Sequence, residues 1–369
     1  MGNHEKAVVP TMKLESEESR SFIQSGAKVL ITGGVGFIGC NATTRFLSRG
    51  AEVIVLDNFS RAGTAQNLEW LRRQEGRLLV VDADVRDAPR ITRVFQEHRD
   101  TDLILHLAGQ VSVTGSISDP RSDFDVNAAG TLNVLEAVRA AGIRAPLIYS
   151  STNKVYGGMP DVPVTLKGSR YLYLNNPFGI SEDHPLDFHS PYGCSKGAAD
   201  QYVRDYHRIY GLNTVVFRQS CIYGLRQFGV EDQGWVAWFV IAAELNKPIT
   251  LFGDGKQVRD LLFADDLLDV YEAAAANIEA VAGSAFNIGG GPDNAVSLLE
   301  LLEYLEARHG RTFCSGYACW RPGDQRIYVS DIRRARKHLG WIPRVGWREG
   351  IDRLCDWVRS SRSVFADLT

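Results

Sequence analysis

No apolar run in this 369-residue sequence could cross a bilayer: the longest, residues 235–243, falls well short of the roughly 20 residues a spanning helix needs. The six cysteines (Cys40, Cys194, Cys221, Cys314, Cys319 and Cys355) are scattered, with no C-x-x-C pair among them. That spacing argues against a zinc site and a disulfide framework, and it fits a reducing cytoplasm. A formal net charge of −3 points to neither nucleic acid nor an anionic membrane surface as a partner. Residues 1–26 are polar and carry no apolar segment of the secretory kind, so they are expected to form a flexible extension. No internal repeat or low-complexity block follows.

What is present is an alternation. With 44% hydrophobic and 23% charged residues, the chain has the composition of a soluble globular protein, long enough for one large or two modest domains. Short apolar runs at 29–31, 53–56, 78–81, 103–106, 147–149 and 214–217 read as strands, with helical periods between them, including 122–141. Strand–helix alternation predicts an α/β fold built on a doubly wound parallel sheet. After Phe217 the pattern shifts to shorter strands and helices, such as 264–276 and 298–308. The expected organisation is a cofactor domain over 27–217, a smaller carboxyl-terminal α/β substrate-binding region over 218–360 interleaved with it, and a tail over 361–369.

Gly33, Gly36 and Gly39 follow the first strand and open a helix. Gly33 would allow a tight turn, Gly36 close approach of a pyrophosphate to the helix N-terminus, and Gly39 close helix–strand packing. Phe37 and Ile38 lie inside this loop. Asp57 closes the second strand, where a carboxylate would bind the adenosine ribose hydroxyls and repel a 2′-phosphate. NAD is therefore favoured over NADP, although the neighbouring Arg61 could accept that phosphate; Asn58 lies between the two.

Tyr192 and Lys196 stand at i and i+4 behind Pro191, a residue suited to a first helical turn. An ammonium beside a phenol would stabilise phenolate and let it exchange a proton near neutral pH. Taken alone, Y-x-x-x-K is also common on solvated helices. The strand before it runs into Ser150-Ser151-Thr152-Asn153-Lys154, at the sheet end where ligands bind in such folds.

With these pieces together the chain resembles the extended short-chain dehydrogenases/reductases, the nucleotide-sugar epimerase and dehydratase group, over about residues 27–358. The resemblance implies a Rossmann sheet, the catalytic set Thr152, Tyr192 and Lys196, and cofactor contacts from Asp84, Val85, Leu107, Ala108, Gln110, Asn127 and Ser150. It also implies a homo-oligomer and a tightly bound NAD regenerated in each cycle. Dehydratases of the group carry Asp-Glu after the threonine; here Asn153-Lys154 stands instead, which removes the acid and base that elimination of water requires. The blocks at 150–157, 189–202, 211–218, 223–228, 232–236 and 255–260, with the insertion at 160–187, resemble the CDP-tyvelose (CDP-paratose 2-) epimerases.

That resemblance implies epimerisation at C2 of a CDP-hexose, of the paratose/tyvelose type or CDP-glucose, through a transient ketone. The alternatives are a C4 epimerase of a UDP-sugar, a net dehydrogenase or reductase on a nucleotide sugar or secondary metabolite, and a silent NAD-binding sensor. The substrate candidates are Thr152 and Asn153 at the sugar, Arg226, Arg259 and Arg321 at the diphosphate, and Asp324 at the ribose. No metal is expected. Asn175 and Asn176 read equally well as turn residues before Pro177. His106 reads as structural, His189 as part of a helix entry in preference to a substrate contact, and Asp265 and Asp266 as helix-initiating.

Overall fold

The computed structural model describes residues 22–365. Seven strands form the central sheet: β1 (Lys28–Thr32), β2 (Glu52–Asp57), β3 (Arg77–Asp82), β4 (Leu103–His106), β5 (Leu147–Thr152), β6 (Thr214–Gln219) and β7 (Ala285–Ile288), in the order β7-β6-β5-β4-β1-β2-β3. Every neighbouring pair is parallel. In β1, Leu30 lies between Ile54 and Ile104. The strand alternates faces: Val29 and Ile31 join Phe46, Leu267 and Tyr271 on one side, and Leu30 joins Phe95, Val134 and Val203 on the other. Both faces are covered by helices, as parallel sheets require, and for that reason the strands read as continuous apolar runs.

The order reverses between β1 and β4, which opens a crevice at the carboxyl ends of the strands. β5 and β6 run past the predicted 149 and 217 to Thr152 and Gln219, because the polar residues Ser150 to Thr152 pair in register with Phe217 to Gln219. β7 comes from the stretch expected to be substrate-binding, so the chain returns to the cofactor sheet late. The helix predicted over 122–141 is broken into Pro120–Phe124, a π-helical turn Asp125–Ala129, and Gly130–Ala140.

The second region packs around the helices Trp235–Glu244, Leu298–His309 and Trp347–Ser360 and the strand Val258–Phe263. The strand Cys221–Tyr223 follows β6 directly and pairs with Leu261 to Phe263, tying the region to the crevice. Most of the amino-terminal extension, 1–21, lies outside the described residues, but Ile23 is buried in the main core, so the expected extension does not reach 26. Likewise the expected tail begins with a 3-10 turn, Arg362–Phe365, that buries Phe365; 366–369 lie outside the described residues. Asp265 and Asp266 lie in the first turn of the helix Ala264–Ala276, and neither side chain caps it; Asp266 has a second task. Its carboxylate accepts from the amides of Arg344 and Val345, both at 3.0 Å, and so fastens the carboxyl-terminal segment. Among the described residues no helix is long and apolar enough to cross a membrane.

Candidate active site

β1 ends in Gly33 at φ +71, where a Cβ would lie 2.7 Å from the Ala108 amide nitrogen. A Cβ at Gly39 would sit 2.2 Å from the Gly33 carbonyl oxygen, so the helix Phe37–Ser48 can rest on the loop only with glycine there. Gly36 caps that helix without a side-chain hydrogen bond, and the first turn holds no acid. Its amides are thus left to a ligand, on the positive end of the helix. They open onto a groove of about 430 Å³ that Gly33, Phe37, Ile38, Asp57, Asp84 and Lys196 help to line.

Asp57 accepts hydrogen bonds from the amides of Val35 (3.0 Å) and Phe59 (2.9 Å); burial raises its pKa, and these bonds oppose the rise. Asn58 donates to Asp84 at 2.8 Å, and the Arg86 side chain, bonded to Asp84, holds that carboxyl down at about 2. Arg61 lines the groove and donates to Gln233 at 2.6 Å. Val85, Leu107, Ala108, Gln110 and Ser150 also line it. A bare helix N-terminus facing a strand-end carboxylate fits the pyrophosphate and ribose of a dinucleotide. Asn127 departs from the expectation. It does not line the groove but lies buried in the π-helical turn, accepting from the Gln110 amide at 2.9 Å and donating to the Gln110 carbonyl at 3.1 Å and Ser195 at 3.2 Å. It shapes the cofactor loop from behind.

Thr152 ends β5, while Tyr192 and Lys196 share the first turns of the helix Ser190–Tyr210. Ser190 enters that helix at φ +67, and the Tyr192 amide donates to Ser116 at 3.1 Å. Burial raises the Tyr192 phenol, and a hydrogen bond with the Thr152 side chain opposes it. The Lys196 ammonium donates to the Ser150 carbonyl and lies 4.3 Å over the Tyr149 ring, and burial draws it down to about 7. Behind β5, Asp200 accepts from Ser151 at 2.9 Å and from Arg218 at 2.9 and 3.1 Å.

Tyr192 also lines a second cavity of about 370 Å³, which shares Phe37, Ser151 and Gln219 with the groove. Thr152, Asn153, Arg259, Arg321 and Asp324 meet there. Arg259 pairs with Asp324 at 2.5 Å, and Arg321 pairs with Asp232 at 3.2 Å while stacking 3.8 Å over Phe252. Arg226 does not join them: held at φ +64, it lies 3.8 Å over Trp70 and faces the cofactor groove. Asn175 and Asn176 stay outside, and the Asn176 carbonyl closes a turn onto the Gly179 amide at 3.0 Å. His106 is buried between Thr32 (2.7 Å) and Thr131 (2.9 Å), as a structural residue. His189 occupies the cap position of its helix in extended backbone.

Sequence reasoning missed Lys154, which it used only as evidence of a missing acid, and the aromatic wall of Trp235, Phe239 and Phe252. Lys154 was findable, since the turn directly after a strand end shares that strand's crevice. Among the described residues, no cluster of His, Cys, Asp and Glu could hold a metal.

Residues 29–289 match the NAD dependent epimerase/dehydratase family. The chain is 47% identical over 338 residues to a CDP-paratose 2-epimerase of Salmonella typhi, covering 90% of this chain and 99% of the relative. It superposes on the dTDP-glucose 4,6-dehydratase DesIV of Streptomyces venezuelae, solved with NAD and TYD, with a TM-score of 0.79 at 30% identity, covering 93% of this chain and 100% of that one. The UDP-glucose 4-epimerase of Thermus thermophilus, solved with NAD, gives a TM-score of 0.75 at 31% identity, covering 90% and 99%.

Proposed function

Because the chain belongs to the NAD dependent epimerase/dehydratase family, we propose that it inverts C2 of a CDP-hexose, of the paratose/tyvelose type or CDP-glucose. The observation that carries this reading is the 47% identity to a CDP-paratose 2-epimerase across nearly the whole of both chains. The site agrees with it chemically. Asn153 and Lys154 stand where elimination of water would need carboxylates, and both line the substrate cavity.

The cofactor is NAD; the amides of the Phe37–Ser48 helix and Asp57, which meet at the groove, would hold it. When bound it takes a hydride from the sugar carbon and gives it back, so no net redox change results. The protein manages the proton and the geometry. Tyr192, as phenolate, takes the proton of the reacting hydroxyl and later returns it. Thr152 bonds the same oxygen while it is a ketone. Lys196 bonds the Ser150 carbonyl in β5 and lines the groove; its role is to hold the nicotinamide ribose and favour the phenolate. Arg259, Arg321 and Asp324 hold the nucleotide while the sugar turns its other face. Residues 27–217 carry chiefly the cofactor and 218–360 chiefly the substrate.

We also read the protein as a cytoplasmic homo-oligomer. Tyr202, Ile209 and Tyr210 lie exposed on the helix Ser190–Tyr210, an apolar strip suited to a second copy, and among the described residues the cysteines are free. The test is incubation with CDP-, UDP- and GDP-hexoses in heavy water, followed by NMR. C2 inversion of a CDP-sugar without deuterium uptake is expected. Inversion at C4 of a UDP-sugar, or accumulation of NADH, would overturn the assignment.

A further inference from the structure

Lys154 stands two residues past Thr152, in the 3-10 turn Asn153–Tyr156, and lines the substrate cavity. Its ammonium donates to the Gly323 carbonyl at 3.1 Å and to Gln325 Oε1 at 3.3 Å. Gln325 in turn donates from Nε2 to the Gly157 carbonyl at 2.6 Å. These bonds clasp the loop carrying Arg321 and Asp324 to the segment carrying Thr152.

Both acceptors of Lys154 are neutral. The cavity is lined by three side chains that are cations when protonated, Lys154, Arg259 and Arg321, and by three carboxylates; Arg259 pairs with Asp324 at 2.5 Å and Arg321 with Asp232 at 3.2 Å, while the third, Glu231, is exposed to solvent and bonds neither arginine through its side chain. Among the described residues, Lys154 forms no ion pair with a carboxylate. An ammonium has three donors and two are used, so one N–H remains for the cavity. A cation without a counter-charge is costly to hold inside a protein, and an anion that completes the set repays the cost. A neutral hydroxyl would fill the hydrogen bond but not the charge.

We propose that Lys154 binds the diphosphate of the nucleotide sugar and, through Gly323 and Gln325, positions the nucleotide loop against the catalytic strand end. This rests on the nucleotide-sugar reading above. Nucleotide recognition and the catalytic threonine are thereby coupled through one side chain. Burial, with Arg259 adding to it, draws this ammonium down to about 8, while Asp324 and Cys221 act in the opposite sense. Diphosphate affinity should therefore weaken as pH rises through that value.

The experiment is calorimetric titration of CDP and UDP into the full-length, NAD-loaded protein, at pH 7 and at about pH 9.5. Wild type, Lys154→Met and Lys154→Arg are compared. Lys154→Met should weaken CDP binding about 10-fold or more at pH 7 and erase its pH dependence. Lys154→Arg should bind at pH 7 as wild type does and stay flat to pH 9.5, because its guanidinium does not titrate there. NAD content should be unchanged, and Lys154→Met should bind CDP equally weakly at both pH values, a pattern that a purely structural lysine would not give. CDP binding by Lys154→Met within about 2-fold of wild type would overturn the inference, as would a wild-type pH profile in Lys154→Arg. Wild type that binds neither CDP nor UDP would instead bring down the nucleotide-sugar reading on which it rests.

Discussion

The ammonium of Lys196 is held by the carbonyl oxygen of Ser150 and the face of Tyr149, and the hydrogen bond acting on the Tyr192 phenol comes from Thr152. The i, i+4 spacing places both side chains on one face, yet a lysine is long enough to reach past its neighbour to the end of β5. The phenol is raised by burial and the lysine lowered by it. Thr152 thus bonds the phenol directly, while Lys196 stands behind it at the end of β5.

Lys196 should act against stability in a pH-dependent way. Its folded pKa of about 7 lies below the ordinary 10.5, so between these values the unfolded chain binds the extra proton and stability rises with pH. The penalty is largest below pH 7, where each tenfold difference in proton affinity between the two states costs about 1.4 kcal/mol at most. Lys196→Met should raise the melting temperature at pH 6.5 by more than at pH 9.5, measured by calorimetry on the NAD-free protein. An equal change at both would show that the lysine is charged throughout.

Tyr192→Phe should lower kcat by roughly 10²-fold or more while bound NAD survives purification, because the phenyl ring keeps the wall of both cavities and loses only the proton carrier. Thr152→Val should lower kcat less, since the phenol remains but its hydrogen bond is gone. The measurements are turnover of the CDP-hexose and the NAD content of the purified variants. Turnover by Tyr192→Phe near the wild-type rate would remove the tyrosine from the mechanism.

Much of this was legible in the sequence, and the exceptions share a cause. Gly33, Gly39 and Asp57 could be read because local backbone geometry dictates them. Tyr192 could be read because its position at a helix start, with Lys196 one turn on, fixes where it points; Thr152 was singled out by the family resemblance, at a strand end that the fold turns towards the crevice. Arg226 could not: whether a long cation reaches a phosphate or an indole depends on what the fold brings alongside, and Trp70 lies 156 positions away in sequence. Asn127 has the residue type of a ligand contact, and only the π-helical turn shows its amide turned inward to the Gln110 backbone. β7 was hidden because its four residues carry too little pattern to be told from a loop.

His106 makes the protein sensitive to acid. Burial, helped by Lys196, lowers its pKa to about 3 from 6.5, so below pH 6.5 the unfolded chain gains a proton that the folded one refuses. Stability falls as pH falls through that window, by about 3 kcal/mol at a pH near 4.5. His106→Gln can still bond Thr32 or Thr131 but does not titrate. Its melting temperature should fall less between pH 7 and 4.5 than that of wild type, and parallel curves would exclude the histidine as the source.

Asp200 and Arg218 should be the most sensitive pair in the molecule outside the reacting groups. Both are buried, and the guanidinium grips the carboxylate at 2.9 and 3.1 Å. The carboxylate also takes the Ser151 hydroxyl at 2.9 Å, and Arg218 reaches Tyr156 at 3.1 Å, so the pair braces the strand end on which Thr152 sits. Asp200→Asn leaves Arg218 charged with no counter-ion, which should cost about 3–5 kcal/mol. Asp200→Leu with Arg218→Met removes both charges, and apolar replacement of a buried pair is often close to neutral. The double variant should therefore be more stable than either single one in urea unfolding, yet have lower kcat because Ser151 has lost its anchor. A single variant costing under about 1 kcal/mol would mean that water or a shift of the helix Ser190–Tyr210 relieves the stranded charge.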